Sequence, residues 1–237
     1  MQLLAKSFHG STVPEEATLF GHLRAVHASA VSILDACGDS MLAAFDIPAR
    51  HLDRFRKVLA MAAALHDVGK ANSHFQGMLV RSEERNRYRF RQALRHEWVS
   101  LLWLQQLEVQ RWIREVFKSD ADLLTLECCI CGHHPGAKRP TPPSSIEGAG
   151  SEMATYFHER AFSEIADWLQ QLCASAQKPM LPEWTLKFNA TSANDPNTSI
   201  DRWHMRANTR FENLSTVDKR LVAVAVVHGA VGVDVDR

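Results

Sequence analysis

Apolar residues recur three or four positions apart along most of this 237-residue chain. They hardly anywhere alternate with polar residues as they would in a half-buried strand. This spacing is typical of amphipathic helices, so the sequence predicts an all-α protein. The predicted helices are Leu19–Leu34, Leu52–Leu65, Leu94–Phe117, Leu123–Cys131, Ala154–Leu172 and Val217–Val233.

Turn-forming residues separate these helices. Breaks are predicted at Gly38–Ser40, at Gly132–Gly150 with its four prolines, and at Lys178–Thr198. The length suits one large domain or two small ones, and we find no internal repeat. The interpretation that we adopt is a single helical-bundle domain over residues 1–237.

Charge and cysteine usage narrow the class of protein. The chain carries 27 basic and 27 acidic residues, so any site for nucleic acid must be a local patch. The stretch Arg81–Arg91, with five arginines and two aromatic residues, is either a solvated helix start or such a patch. Five cysteines, odd in number and partly clustered, do not indicate a secreted disulfide framework.

No segment predicts membrane insertion. The N-terminus lacks the apolar core of a signal peptide, and the longest apolar run, Leu221–Val233, is interrupted by His228 and is too short to span a bilayer. We therefore expect a soluble, cytoplasmic protein without a membrane partner.

The segment HDVGK, at the end of the second predicted helix, points to chemistry. His66 and Asp67 are adjacent, so on a helix their side chains diverge by about 100°. Both can reach one metal ion only where several helices meet. Other candidate ligands are scattered along the chain: His22, His96, His133, His134 and Asp234.

Imidazole and carboxylate together suit Mn, Fe, Co, Ni or Zn, and a shared carboxylate can hold two ions about 3.5–4 Å apart. In paired-metal hydrolases one ion delivers hydroxide and the other neutralises a phosphoryl oxygen. Lys70, one turn beyond His66, would place a cation where phosphate charge develops. The donor set predicts a metal-dependent phosphodiesterase.

These residues, in this order, resemble the HD superfamily of metal-dependent phosphohydrolases, and within it the HD nuclease domain of the CRISPR type I helicase-nuclease. The resemblance is carried by the segments GHLRAV, HDVGKANSHFQ, RHEWVS and GHHPG and by an apolar helix that ends in aspartate. Together these features span positions 22–234.

The resemblance implies a role for each residue. His22, His66, Asp67 and Asp234 would hold one ion. Asp67 would bridge to a second ion held by His96, His133 and His134. Asp67 and Lys70 would be the catalytic residues.

It also implies two divalent ions, Mn, Ni, Co or Fe rather than Mg or Zn, and single-stranded DNA as substrate. A superfamily 2 helicase would be fused after the domain or supplied as a separate chain. In the first case the chain would be the N-terminal part of a longer helicase-nuclease. In the second it would be a nuclease that acts together with a separate helicase. An RNA-guided surveillance complex would present the displaced strand.

Two positions leave alternatives open. The ending HGAVGVDVDR departs from the usual pattern, so the last ligand is Asp234, His228 or Asp236. Cys128 and Cys131 have the spacing of half a zinc site, but no second pair follows, which favours simple packing.

Two other functions also remain open. One is a phosphohydrolase acting on nucleotides or cyclic dinucleotides in a closed cleft. The other is a degenerate HD module that keeps the fold for partner docking.

Overall fold

The computed structural model describes residues 2–8, 10–80, 94–134, 152–188 and 195–231. Within these ranges the chain is a mostly helical bundle, which confirms the predicted class. The helices are α1 (Leu19–Ala44), α2 (Leu52–Leu65), α3 (Ser73–Val80), α4 (His96–Leu104), α5 (Leu107–Val116), α6 (Asp120–Gly132), α7 (Arg160–Cys173), α8 (Pro196–Glu212) and α9 (Thr216–Val231). A short antiparallel pair joins β1 (Glu152–Ala154) to β2 (Thr185–Lys187).

The core lies between helices that are distant in sequence. Helix α1 packs along α2, and α2 and α9 both pack against α6. Helix α4 lies against α6 and against a 3-10 turn, Val68–Lys70, that follows α2. This packing brings the start of α1, the end of α2, the start of α4 and the end of α6 to one place.

The break predicted at Gly38–Ser40 is wrong, because α1 continues through it to Ala44. A Cβ atom on Gly38 would lie 2.8 Å from Cδ1 of Leu52. The glycine therefore gives room for the start of α2 to pack against α1, and it does not end the helix.

The single helix predicted over Leu94–Phe117 is also wrong, because the chain turns after Leu104 and forms α4 and α5. Glutamine side chains take the place of helical hydrogen bonds at this turn. Nε2 of Gln106 donates to the carbonyl of Leu102 at 2.9 Å, and Nε2 of Gln110 donates to that of Leu104 at 2.6 Å. Side-chain amides thus satisfy carbonyls that a helix end leaves without partners.

Four elements were not predicted: the helices α3 and α8 and the strands β1 and β2. Helix α8 starts inside the segment assigned to a break, where the Asp195 carboxylate accepts the Thr198 N–H at 3.0 Å. Its buried residues, Ile200, Trp203 and Ala207, follow helical spacing in an otherwise polar stretch. The Asp-Pro start and that spacing were the available signal.

Within the described ranges, no helix combines the length and the apolar character needed to cross a membrane.

Candidate metal centre

The candidate ligands lie at or near helix ends, where side chains from different elements can converge. His22 is in the first turn of α1, and His96 is the first residue of α4. His66 and Asp67 directly follow α2, and His133 and His134 directly follow α6. Each adjacent pair lies just beyond the end of its helix, where both side chains can reach the same cluster.

The Asp67 carboxylate is at the centre of the cluster. On one side, its Oδ2 atom lies 3.0 Å from Nε2 of His22 and 3.2 Å from Nε2 of His66. Nζ of Lys70 lies 2.6 Å from the same oxygen. His22, His66 and Asp67 are buried and form one group of converging donor atoms.

The other carboxylate oxygen faces a second group. Oδ1 of Asp67 lies 2.9 Å from Nε2 of His96 and 3.4 Å from Nε2 of His133. Nε2 of His134 lies 3.0 Å from Nε2 of His96. Asp67, His96, His133 and His134 therefore offer four donor atoms in one small volume, and Asp67 belongs to both groups.

Close backbone contacts set the position of Asp67 relative to α4. A Cβ atom on Gly69 would lie 2.1 Å from the carbonyl oxygen of His96, so only glycine fits there. The Gly69 N–H donates to Oγ of Ser100 at 2.8 Å, and that hydroxyl donates to the carbonyl of His66 at 2.9 Å. The HDVG segment thus packs directly against α4, which carries His96, and is hydrogen-bonded to it through Ser100.

The rest of the motif holds the turn that follows. Nδ2 of Asn72 donates to the carbonyl of Gly69, and its Oδ1 accepts the Phe75 N–H at 2.9 Å, which starts α3. Nε2 of Gln76 donates to the carbonyl of Lys70 at 2.9 Å. These positioning roles of Ser100, Asn72 and Gln76 were not predicted, although the residues lie within the segments that carry the family resemblance.

The tautomers of two histidines show that the cluster suits a cation. Nδ1 of His66 lies 2.8 Å from the carbonyl oxygen of Ala63, and Nδ1 of His133 lies 2.6 Å from that of Ile130. Since a carbonyl only accepts, each Nδ1 carries the proton, and in the neutral ring Nε2 is left with a lone pair.

Both lone pairs face an acceptor, the Asp67 carboxylate. Nε2 of His66, Nε2 of His133 and Oδ1 of Asp67 are buried and have no hydrogen-bond partner among the described residues. Buried acceptors that face each other are unfavourable unless a cation lies between them. Two ligands of one ion at about 2.1 Å lie about 3.0–3.4 Å apart, close to the separations seen here. The residues therefore fit divalent transition metals.

The electrostatics keep Asp67, His66 and His134 in their metal-binding forms. Burial alone would raise the pKa of Asp67, but the neighbouring His66 and His96 rings and the Lys70 ammonium group hold it well below its usual range. Burial lowers the pKa of His66. Burial and the neighbouring His133 and His96 lower the pKa of His134 to about 3. An ionised carboxylate and neutral imidazoles are the forms that bind metals.

The remaining predicted positions are placed as follows. Asp234 and Asp236 lie outside the described residues, as does the stretch Arg81–Arg91. His228 is in α9 and lines an apolar cavity with His66 and His133, but it belongs to neither group of donor atoms.

The cysteines do not join the site. Neither Cys128 nor Cys131 belongs to either group found among the described residues. Burial raises the pKa of the Cys128 thiol to about 12 and that of Cys131 well above its ordinary value. Protonated thiols, buried at Cys131 and partly buried at Cys128, support the packing interpretation of this pair.

Comparisons with known proteins agree with this architecture. The family model described as "Cas3, HD domain" matches residues 5–225. A protein of Myxococcus xanthus (strain DK1622), named as a CRISPR-associated nuclease/helicase Cas3, is 33% identical over 233 residues, which cover 94% of this chain and 29% of the relative. The chain thus spans less than a third of that protein's length.

A solved structure has the same fold. The CRISPR-associated Cas3 HD domain protein of Methanocaldococcus jannaschii superposes with a TM-score of 0.51 and 13% sequence identity. The superposition covers 98% of this chain and 99% of the other. At that identity the likeness establishes the fold alone.

Proposed function

The chain belongs to the Cas3 HD domain family, and from this premise we propose that it degrades single-stranded DNA with two divalent transition-metal ions. Asp67 would hold both ions. His22 and His66 would complete the first position together with Asp234, and His96, His133 and His134 would complete the second. Mn, Ni, Co or Fe are the proposed ions, because imidazole-rich sites with few carboxylates suit them better than Mg.

The observation that carries the proposal is the position of Asp67 between two sets of imidazole nitrogens. Each of its oxygens faces a different group, at 3.0 and 3.2 Å on one side and 2.9 and 3.4 Å on the other. A bound pair of ions on a shared carboxylate acidifies water and offsets charge on a phosphoryl group.

The residues of the chain supply orientation and a fixed charge. Lys70 lies beside Asp67, and its Nζ is also 5.3 Å from the centre of the Phe75 ring. These two contacts hold the ammonium group beside the cluster, where it would stabilise the charge that develops on phosphate. Asp67 would hold both ions, while the carbonyls of Ala63 and Ile130 orient the His66 and His133 rings.

The surroundings of His134 favour a polymer over a small closed-in ligand. His134 is less buried than His133 and lines a broad surface groove with Trp98, His204 and Phe211. An extended strand could approach the second position along this groove, whereas a nucleotide hydrolase needs a cleft that encloses one ligand.

The test is degradation of circular single-stranded DNA in the presence of Mn²⁺ or Ni²⁺. We expect the wild-type protein to cleave the circle and Asp67→Ala to be inactive while it keeps its fold by circular dichroism. Asp53→Ala, at the exposed start of α2, is the matched control and should stay active. Hydrolysis confined to a panel of nucleotides and cyclic dinucleotides would favour the alternative enzyme, and the absence of metal binding would favour a docking module.

The wider context is also a proposal. The Myxococcus relative is named as a nuclease/helicase, which supports a superfamily 2 helicase motor as partner, fused or separate. We propose that residues 1–237 form one nuclease domain, the N-terminal part of a helicase-nuclease that acts in the cytoplasm. An RNA-guided surveillance complex would supply the displaced strand. Degradation of duplex DNA that requires the added helicase and surveillance complex would test this arrangement.

A further inference from the structure

Glu97 is a buried carboxylate that the proposed chemistry does not yet use. It is the second residue of α4 and is 0% exposed. Its Oε1 forms an ion pair with Arg95, whose side chain is 45% exposed. Neither carboxylate oxygen has a hydrogen-bond partner among the described residues.

A second buried glutamate shows what a structural carboxylate looks like in this protein. Glu127 accepts hydrogen bonds from Nε2 of Gln105 at 2.9 Å, from Nε1 of Trp203 at 2.9 Å and from Arg210 at 2.8 Å. Those contacts join α6 to α8 and to the turn after α4. Glu97 has no such hydrogen bonds among the described residues, and its ion pair is with the exposed side chain of Arg95. Since a buried carboxylate with so little support destabilises a fold, its presence calls for another explanation.

The orientation of Glu97 provides one. Its Oε2 lies 3.8 Å from Nε2 of His96. That nitrogen is the same one that lies 2.9 Å from Asp67 and 3.0 Å from His134. Oε2 of Glu97 therefore borders the second group of donor atoms.

The charge of that group points the same way. Asp67 is its only carboxylate, and Oδ2 of Asp67 already contacts the Lys70 ammonium. The other donors are imidazoles, which bind a metal in their neutral form. A divalent cation in this buried place would thus gain from a further negative charge nearby.

We propose that Glu97 is a positioning residue for the second metal position, where its negative charge strengthens the binding of a divalent cation by Asp67, His96, His133 and His134. The inference rests on the proposed function, since it assigns Glu97 to one of the two metal positions. A carboxylate at a helix start with a merely structural role would not affect the affinity for the metal.

The test compares Glu97→Gln with Glu108→Gln in metal-free protein titrated with Mn²⁺. Glu108 is the matched control, because it is likewise the second residue of a helix, α5, but is exposed. We expect Glu97→Gln to bind one of two Mn²⁺ ions about tenfold to a hundredfold more weakly, the range found for residues that support metal ligands. Glu108→Gln should bind both ions as the wild-type protein does.

Thermal unfolding of the same metal-free proteins separates function from structure. Glu97 has no hydrogen-bond partner among the described residues, and its ion pair with the exposed Arg95 side chain adds little to stability. Glu97→Gln should therefore unfold at the same or a higher temperature than the wild type. A lower unfolding temperature with unchanged Mn²⁺ affinity would overturn the inference and assign Glu97 a structural role. If Glu97→Gln does not fold, Glu97→Met, which has a side chain of similar length without charge, replaces it in both the Mn²⁺ titration and the unfolding measurement.

The two proposals fail in different ways. If the wild-type protein binds no Mn²⁺ and leaves single-stranded DNA intact, the proposed function is wrong, and the inference falls with it. If the wild type binds two ions and cleaves DNA while Glu97→Gln binds both with equal affinity, only the role of Glu97 is wrong.

Discussion

Nζ of Lys70 lies 2.6 Å from Oδ2 of Asp67, inside the cluster of imidazoles. The lysine is three residues beyond the aspartate, at the end of the 3-10 turn Val68–Lys70. A fixed positive charge next to the carboxylate helps to keep it ionised. It also opposes the binding of further cations, which agrees with the catalytic role proposed for Lys70.

Replacement of Lys70 should therefore separate catalysis from metal binding. We expect Lys70→Met to lower the rate of Mn²⁺-dependent cleavage of single-stranded DNA by about 10²- to 10³-fold, the cost of removing one preorganised charge-stabilising group. Mn²⁺ affinity, measured by titration calorimetry, should be equal or higher.

Lys57→Met is the control, because Nζ of Lys57 also lies over a phenyl ring, 5.4 Å from the centre of Phe117, but its side chain is exposed. This variant should cleave normally. Weaker Mn²⁺ binding by Lys70→Met would contradict the assignment.

Gly69→Ala should damage both the fold and the site. The added Cβ would lie 2.1 Å from the carbonyl oxygen of His96, which is backbone and cannot rotate away. We expect the free energy of unfolding in urea to fall by about 3 kcal/mol, the upper part of the range for overpacking. Since α4 must shift away from Asp67, Mn²⁺ affinity should fall as well.

Gly132→Ala provides the comparison, because its Cβ would meet only Cγ1 of Val226, at 3.4 Å. Alanine favours a helix over glycine by about 0.5–1 kcal/mol, so this variant should be close to the wild type or slightly more stable. Equal effects of the two substitutions would contradict the proposed close approach of the HDVG turn to α4.

Metal binding should raise the stability of the protein. At a Mn²⁺ concentration about 100 times the dissociation constant, we expect the free energy of unfolding to increase by about 2.7 kcal/mol for one site, and a chelator should reverse it. Asp67→Asn should lose most of this increase, because Asp67 belongs to both groups of donor atoms. The exposed Asp53→Asn should keep it, and an unchanged increase in Asp67→Asn would show that the ions bind elsewhere.

The metal-free protein should lose stability as the pH falls below about 6.5, the usual pKa of histidine. Burial lowers the pKa of His66, and the pKa of His134 is lowered to about 3. The unfolded chain therefore takes up protons at a higher pH than the folded chain does. The stability that these histidines contribute is fully present above their pKa in the unfolded chain. It is lost as the pH falls toward their lower pKa in the folded chain.

Urea unfolding without metal at pH values of about 7, 6 and 5 would measure this dependence. His134→Gln should show a weaker loss over that range than the wild type, because it removes one of the groups that titrate. A loss of the same size in both proteins would show that His134 makes no contribution.

The helical class and most helix positions could be predicted, because the spacing of apolar residues is a local property of the chain. The failures have local reasons too. Helix α8 is mostly polar, and Gly38 has the residue type of a helix end but serves close packing against Leu52. The turn between α4 and α5 depends on the side chains of Gln106 and Gln110, which carry no general turn signal.

By itself, the sequence determined a helical protein whose histidines and aspartate are of the types that bind transition metals. Only the tertiary structure decided that His22 lies beside Asp67 across 45 positions, and that His96 lies beside His134 across 38. It also decided that Oε2 of Glu97 lies 3.8 Å from Nε2 of His96, beside the same site. Helical periodicity and the types of ligand residue can be recognised from the sequence, because they depend on residue identity and local spacing. Whether the ligands meet depends on how distant helix ends pack, here through contacts as close as that of Gly69 with the backbone of α4.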